Sequence, residues 1–311
     1  MKIAINGLGK IGRCVFLICL RNNIKIAWVN EPRANIENVL YLIKHDSTYG
    51  ELADTLTLSK NKDCLITERD KIPVYHQDSP TSLIKKLDEK LTDVVVVECS
   101  GIDAVAEELD QLCRQEKIAA TISSYLPKTI NPPVRVLGTG QNYKPLKLEK
   151  RLVSGAICDV VALAPLFHHL NSAFKIVSAS VLSVHPWLSY QNLVDGYVSS
   201  VASAGHIWTD FSLGRDATTN IIPKNTTMMS VMRHAIDPEL CDRLIAMSIR
   251  VPTASVTSAY LTIEFEQSPT VADIHNTLTQ NDVEISFEKK VSGDFRQNES
   301  SSVIDGYFTQ A

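Results

Sequence analysis

Six residues into the chain, a strand-like run empties into Gly7-Leu8-Gly9-Lys10-Ile11-Gly12, a GxGxxG motif. No other feature constrains the fold as strongly. KIAING (2–7) has the β-branched character of a strand, and the residues from Lys10 to about Leu20 repeat apolar positions at helical spacing. Glycines at a strand-to-helix turn let the backbone turn tightly and approach a ligand, so that a pyrophosphate can sit on the helix N-terminus. Nineteen residues beyond Gly12, after the strand-like run IKIAWVN (24–30), stands Glu31. An acid there accepts hydrogen bonds from ribose hydroxyls and repels a 2′-phosphate, which selects NAD over NADP. Gly7, Gly9, Gly12 and Glu31 are therefore candidate NAD contacts.

The pattern around this motif extends the reading. NIENVLYLIKH (35–45) has helical periodicity, and VVVVEC (94–99) is too uniformly apolar for a half-exposed strand. Such a run suits a parallel strand covered on both faces. The helix IDAVAEELDQLCRQE (102–116) and the strand IAATIS (118–123) follow. Alternating strands and helices predict an α/β class with a Rossmann doubly wound parallel sheet. From about Ser172 the pattern changes to longer strands, FKIVSASVLSV (174–184), ASVTSAYLTIEFE (254–266) and EISFEKK (284–290), with fewer helices. That predicts an α+β catalytic domain with a mostly antiparallel sheet. The expected domains are 1–153, binding NAD, and 154–311. The polar stretch from His185 to Pro223 has no clear periodicity, and a loop of that length is usually functional.

Composition excludes several classes of partner. A net charge of -4 gives no reason to expect nucleic acid or an anionic membrane surface. No apolar run approaches the roughly 18 residues that cross a bilayer, and MKIAINGLGKIGR enters a strand without a signal-peptide h-region. Seven cysteines, an odd number without a CxxC pair, point to a reduced cytoplasmic compartment and not to a disulfide framework.

One cysteine stands out. In GAICDVVALAP (155–165) Cys158 begins a predicted helix, where the macrodipole and free N–H groups lower a thiol pKa. His185 lies 27 residues on, at the end of the strand FKIVSASVLSVH. A cysteine and a histidine form the minimal pair for covalent catalysis on a carbonyl. Asp159 works against this, because a neighbouring carboxylate raises the thiol pKa and repels phosphate. It could instead orient a hydrolytic water. Cys158 can thus be read as a nucleophile, the relic of one, or a buried small residue. His168 and His169 lack the partners of a zinc site, and no metal site is read from the sequence.

AINGLGKIGR, VNEP, YLIKHDSTYG (41–50), VVECSG (96–101), Cys158 with ALAP, SVH (183–185), NIIP (220–223), RVPT (250–253) and SSSVIDG (300–306) occur in an order that resembles the phosphorylating glyceraldehyde-3-phosphate dehydrogenase family. The erythrose-4-phosphate dehydrogenase branch is similar in the VNE acid and the VIDG ending. The resemblance implies a homotetramer whose long loop, here about 186–208, lines the cofactor site. It implies that the Cys158 thiolate attacks a phosphorylated aldehyde and that His185 takes the proton. Arg250 resembles the arginine that binds the substrate phosphate, and Thr226 the hydroxyl that binds the attacking phosphate. Lys10 and Ile11 match backbone contacts to the pyrophosphate, and Ser123 a serine near the nicotinamide.

The departures cluster around the chemistry. The family's Ser-Cys-Thr-Thr-Asn is Ile157-Cys158-Asp159-Val160-Val161, which places Asp159 in the substrate site. Leu188 and Tyr190 replace a threonine and an acid, and Thr227 replaces a glycine. Ser212-Leu213 stands where an arginine pair is expected, leaving Arg215 of that run. The chain ends at Ala311, before the family's WYDNEWGYS-like segment. Two functions follow as expectations: NAD-dependent oxidation of a phosphorylated aldehyde, with phosphate or water cleaving the thioester, or an impaired paralogue that keeps NAD binding.

Overall fold

The computed structural model describes residues 1–51, 56–87, 91–136, 151–189, 191–197 and 211–311. Their internal contacts define two units, Met1–Arg135 continued by 151–155, and Ala156–Ala311.

In chain order the first unit contains β1 (Lys2–Asn6), α1 (Lys10–Arg21), β2 (Ile26–Asn30), α2 (Ile36–Lys44), β3 (His45–Asp46), β4 (Gly50–Glu51) and β5 (Thr57–Leu58). There follow β6 (Cys64–Ile66), β7 (Lys71–Tyr75), α3 (Pro80–Leu87), β8 (Leu91–Glu98), α4 (Asp103–Arg114), β9 (Ile118–Ser123) and β10 (Leu152–Ser154). One sheet takes the order β10-β9-β8-β1-β2-β7-β6-β5. Its strands run parallel from β10 to β7, and β6 and β5 continue it antiparallel. The sequence reading predicts the parallel strands β1, β2, β8 and β9 but not β10, β7, β6 or β5. The order turns back at β1, with β2 on one flank and β8 on the other, and the glycine turn leaves the carboxyl end of that strand. Open α/β sheets bind ligands at this switch point.

Each face of the sheet has its own core. Ile5 and Val29 join Phe16 and Leu17 of α1 and Ile36, Val39 and Ile43 of α2. Their sequence neighbours Ala4 and Trp28 point the other way, to Leu83 and Ile84 of α3 and Val105, Leu109 and Leu112 of α4. Helices on both sides explain the valine run of β8: Val94, Val95 and Val96 are at most 2% exposed. Burying side chains of this kind stabilises the unit by about 1.5–3 kcal/mol each.

The second unit contains α5 (Cys158–Phe174), β11 (Ile176–Pro186), β12 (Ile222–Lys224), α6 (Met228–Met232), α7 (Pro238–Cys241) and β13 (Leu244–Val251). β14 (Ser258–Phe265), α8 (Val271–Gln280), β15 (Glu284–Ser286) and β16 (Val303–Asp305) complete it. Its main sheet has the order β12-β13-β11-β14. β11 pairs antiparallel with β14 and parallel with β13, while β12 runs antiparallel to β13.

Three details depart from the sequence reading. Helix α5 continues through Phe174 and stops where Lys175 takes a left-handed φ of 52°, so β11 starts at Ile176. EISFEKK supplies only β15, in a separate two-stranded sheet with β16. LIAMSIRV forms the unpredicted β13; its leucine, alanine and methionine suit a helix equally well, and only tertiary pairing decides for a strand.

Candidate active site

The glycine turn forms a cradle. Gly7 adopts φ +89°, and a Cβ there would meet the backbone nitrogen of Ser100 at 2.7 Å. A Cβ on Gly12 would come within 1.9 Å of the Gly7 carbonyl, so this glycine lets α1 close on the turn. Gly9 caps α1, and nothing lies within 4 Å of its would-be Cβ. The open side of the turn is thus at Gly9, where a pyrophosphate could approach the backbone. Lys10 and Ile11 open α1, and Ile11 is half exposed. Glu31 accepts from the Leu8 N–H at 2.8 Å and from the Arg33 N–H at 3.0 Å, which ties the end of β2 to the glycine turn. Carboxylate lone pairs remain for ribose hydroxyls. These residues fit a dinucleotide.

Below the turn lies a buried polar network that the sequence reading did not single out. Asn6 donates to Glu98 at 2.6 Å, and Asn30 donates to Asn6 at 2.8 Å. Strand register sets Asn6 beside both Asn30 and Glu98, so the carboxyl ends of β1, β2 and β8 are locked together. Burial raises the Glu98 pKa despite the donors Ser100 and Asn6. Arg13 of α1 adds a further tie, donating to Asp46 at 2.8 Å and to the Leu8 carbonyl at 3.0 Å. Ser123, fully buried at the end of β9, donates to the Tyr125 carbonyl and accepts at its own carbonyl from the Gly155 N–H.

In the second unit the sequence candidates converge at the start of α5. Ala156, buried and at a left-handed φ of 67°, turns the chain into the helix, whose N-cap Ile157 has no side-chain cap. Asp159, 5% exposed, has one oxygen 3.9 Å from the Cys158 Sγ and the other 3.2 Å from the His185 Nε2. The His185 Nδ1 lies 3.3 Å from the Thr257 Oγ1. Cysteine, aspartate and histidine donor atoms all stand within 4.8 Å of one another. Arg250 is the Cα partner of His185 on the neighbouring parallel strand, and its guanidinium donates to the Pro186 carbonyl at 2.8 Å.

At Cys158 the helix start does act to lower the thiol pKa, but other contributions outweigh it. The residue is exposed, yet the surrounding protein desolvates its sulfur. That burial is the main cause that pushes the thiol up to about 11, with the Asp159 carboxylate second. The Asp159 N–H and the charges of Arg250 and Lys224 oppose the rise without cancelling it. Lys224, at the end of β12, went unnoticed in the sequence.

Other candidates occupy different settings. The Thr226 hydroxyl accepts from the Met228 N–H at 3.0 Å at the start of α6, and Thr227 is the exposed residue that caps this helix. Arg215 is exposed and pairs with Asp195 at 2.9 Å. Leu188 is half-buried, while Tyr190 and 198–208 of the long loop lie outside the described residues.

A parallel sheet with a dinucleotide-type glycine turn, followed by an α+β unit presenting a cysteine and a histidine, fits a pyridine-nucleotide-dependent dehydrogenase. Comparison with known proteins specifies the family. Residues 1–105 match the family model described as glyceraldehyde 3-phosphate dehydrogenase, NAD binding domain, and 157–311 match the C-terminal domain of the same enzyme. Glyceraldehyde-3-phosphate dehydrogenase 1 of Saccharomyces cerevisiae is 32% identical over 282 residues, covering 88% of this chain and 77% of the yeast protein. The enzyme of Glossina morsitans morsitans is 29% identical over 98% of the chain and 87% of its own length. The cytosolic enzyme of Pisum sativum is 28% identical over the same shares. The chain belongs to the glyceraldehyde-3-phosphate dehydrogenase family, and its cofactor is NAD.

Proposed function

We propose that the protein oxidises a phosphorylated aldehyde through Cys158 and releases the free acid by hydrolysis. The cluster of Cys158, Asp159 and His185, with the charges of Arg250 and Lys224 reaching the thiol, carries this reading. The two cations favour an anionic substrate beside the sulfur. Ionised Cys158 adds to the aldehyde carbon to give a thiohemiacetal, whose developing oxyanion His185 steadies. NAD, when bound, is the acceptor of the hydride. The remaining Cys158 thioester is then cleaved. A carboxylate 3.9 Å from the sulfur disfavours phosphate as the attacking group: two unit charges ~5 Å apart repel by roughly 3 kcal/mol at an effective dielectric near 20. The same carboxylate can accept a proton from water, so water is the favoured second substrate.

The high thiol pKa favours a second reading, an impaired paralogue that retains NAD binding. One experiment separates them: NADH formation from glyceraldehyde-3-phosphate and erythrose-4-phosphate, with and without inorganic phosphate. Phosphate-independent NADH that disappears in Cys158→Ser supports oxidation with hydrolysis. No Cys158-dependent NADH from either aldehyde refutes it. If NAD in addition leaves the melting temperature unchanged, the impaired binder is refuted too.

A homotetramer and a cytoplasmic location are part of the proposal. Ile245, Met247 and Tyr260 leave 67–71% of their surface open on the outer side of the main sheet, an apolar face suited to a second copy. Among the described residues, no helix is long and apolar enough to cross a membrane.

A further inference from the structure

The cluster at the start of α5 brings together three different donor types. Sulfur, imidazole nitrogen and carboxylate oxygen form a set that suits a borderline-soft divalent ion. A tetrahedral Zn2+ binds thiolate at ~2.3 Å and nitrogen or oxygen at ~2.0–2.2 Å, which spaces its ligand atoms roughly 3.3–3.6 Å apart. Here Nε2 and Oδ2 are 3.2 Å apart, Sγ and Oδ1 are 3.9 Å apart, and one donor atom from each residue lies within 4.8 Å of the others. Small side-chain shifts close the remaining gap. Asp159 is buried between sulfur and ring, already desolvated for an ion. The Thr257 Oγ1, 3.3 Å from Nδ1, gives the ring an outer hydrogen-bond partner and leaves Nε2 turned to the cluster, as metal-bound histidines require.

We propose that Cys158, Asp159 and His185 bind one Zn2+, with water or an anion in the fourth position. On binding, the thiol proton passes to solvent, a sulfur–metal bond forms, and nothing is oxidised. Thiolate and carboxylate together supply two negative charges, equal to the ion's, so the nearby Arg250 and Lys224 do not forbid occupancy. A sulfur held by the ion cannot attack a carbonyl, so zinc and aldehyde exclude one another at this site.

The site shares its residues with the proposed catalysis but does not depend on turnover, so its test uses the full chain without NAD or aldehyde. Co2+ serves as the spectroscopic probe and Zn2+ affinity is measured by chelator competition. The expected result is a thiolate-to-cobalt charge-transfer band with tetrahedral d–d absorption, saturating at one equivalent and bleached by Zn2+. Cys158→Ser should lose the band, whereas Cys64→Ser keeps it. Asp159→Asn and His185→Gln should each weaken Zn2+ binding about tenfold or more. The proposal is overturned if the folded wild-type chain shows no such band, if the band persists in Cys158→Ser, or if Asp159→Asn binds Zn2+ as tightly as wild type. The wild-type spectrum decides the matter even where a variant folds poorly. A chain that binds Co2+ but makes no NADH overturns the catalytic reading alone; an active chain without the band overturns the metal site alone.

Discussion

Asp159→Thr tests the electrostatics at Cys158 directly. The substitution removes a carboxylate whose oxygen lies 3.9 Å from the sulfur and leaves a side chain of similar size. Two unit charges at that distance interact by about 4 kcal/mol at an effective dielectric of ~20, which is a ceiling of ~3 pKa units. Two considerations lower the expectation. Burial contributes more than Asp159 to the rise toward about 11, and burial persists in the variant. Cys158 also keeps exposed surface, where solvent screens the pair. A drop of roughly 1–2 units, to ~9–10, is the predicted outcome, with direct consequences for reactivity.

Alkylation requires the thiolate, so below the thiol pKa the rate gains about tenfold for each unit of pKa lost. Iodoacetamide labelling of the Cys158 peptide, followed by mass spectrometry from pH 7 to 11, follows the rise of the thiolate toward its midpoint. Wild type should still be accelerating at pH 10. Asp159→Thr should label ~10–100-fold faster at pH 8, and Asp159→Asn should do the same with the shape of the residue preserved. Superimposable profiles for the three proteins would mean that the carboxylate does not govern the thiol. A wild-type midpoint below pH 8 would refute the argument from burial as well.

The glycine turn predicts a contrast between neighbours. Gly9→Ala should fold normally and lose much of the NAD-induced rise in melting temperature, because its methyl enters only open space. Gly12→Ala should cost ~3 kcal/mol or more of stability in urea titrations, because its Cβ meets the Gly7 carbonyl at 1.9 Å. For Asp46, burial opposes ionisation, but the Arg13 hydrogen bond and the Tyr49 and Thr48 N–H groups win and lower its pKa. A depressed carboxylate stabilises the fold above its unfolded pKa of ~3.9 and loses that contribution as pH falls through the folded value. Arg13→Ala should therefore lower stability by about 3 kcal/mol at pH 7, the low end for a buried pair because Arg13 keeps some solvent access, and the deficit should shrink below pH 4. Ile245→Glu should dissociate the proposed oligomer in analytical ultracentrifugation without unfolding the chain, since Ile245 is 68% exposed; an unchanged sedimentation coefficient would move the interface elsewhere.

The contrast between the two halves of the molecule shows what a sequence makes legible. In the first unit, glycine spacing, a valine run covered on both faces and an acid after β2 each answer to a local rule, so the parallel direction of the central strands and the tight turn after β1 could be read in advance. Asn6, Asn30 and Glu98 could not, because their roles arise from register between three strands far apart in sequence. The second unit depends on long-range pairing throughout. His185 and Arg250 are 65 residues apart in the chain and become Cα partners only because β11 accepts β13 in parallel. The same pairing was invisible in LIAMSIRV. Lys224 lies at the end of the short strand β12, and nothing in IPK marks its charge as one that Cys158 feels.

Cys158 is the sharpest case, because local and tertiary rules give opposite signs. Position at a helix N-terminus argues for a low pKa, and the Asp159 N–H does work in that direction. Desolvation has no local signature, since it depends on which atoms the rest of the unit brings around the sulfur, and it dominates. Asp159 was legible as a neighbour but not as a bridge: its two oxygens reach sulfur and imidazole together only because β11 ends beside the first turn of α5. A residue that reads in the sequence only as a charged neighbour of the thiol becomes, in the fold, the group that bridges the cysteine and the histidine. Changing that one carboxylate should therefore alter thiol ionisation, the choice between water and phosphate, and zinc affinity together. A variant at Asp159 that changed one of these and left the other two untouched would show that the three residues do not act as a single cluster.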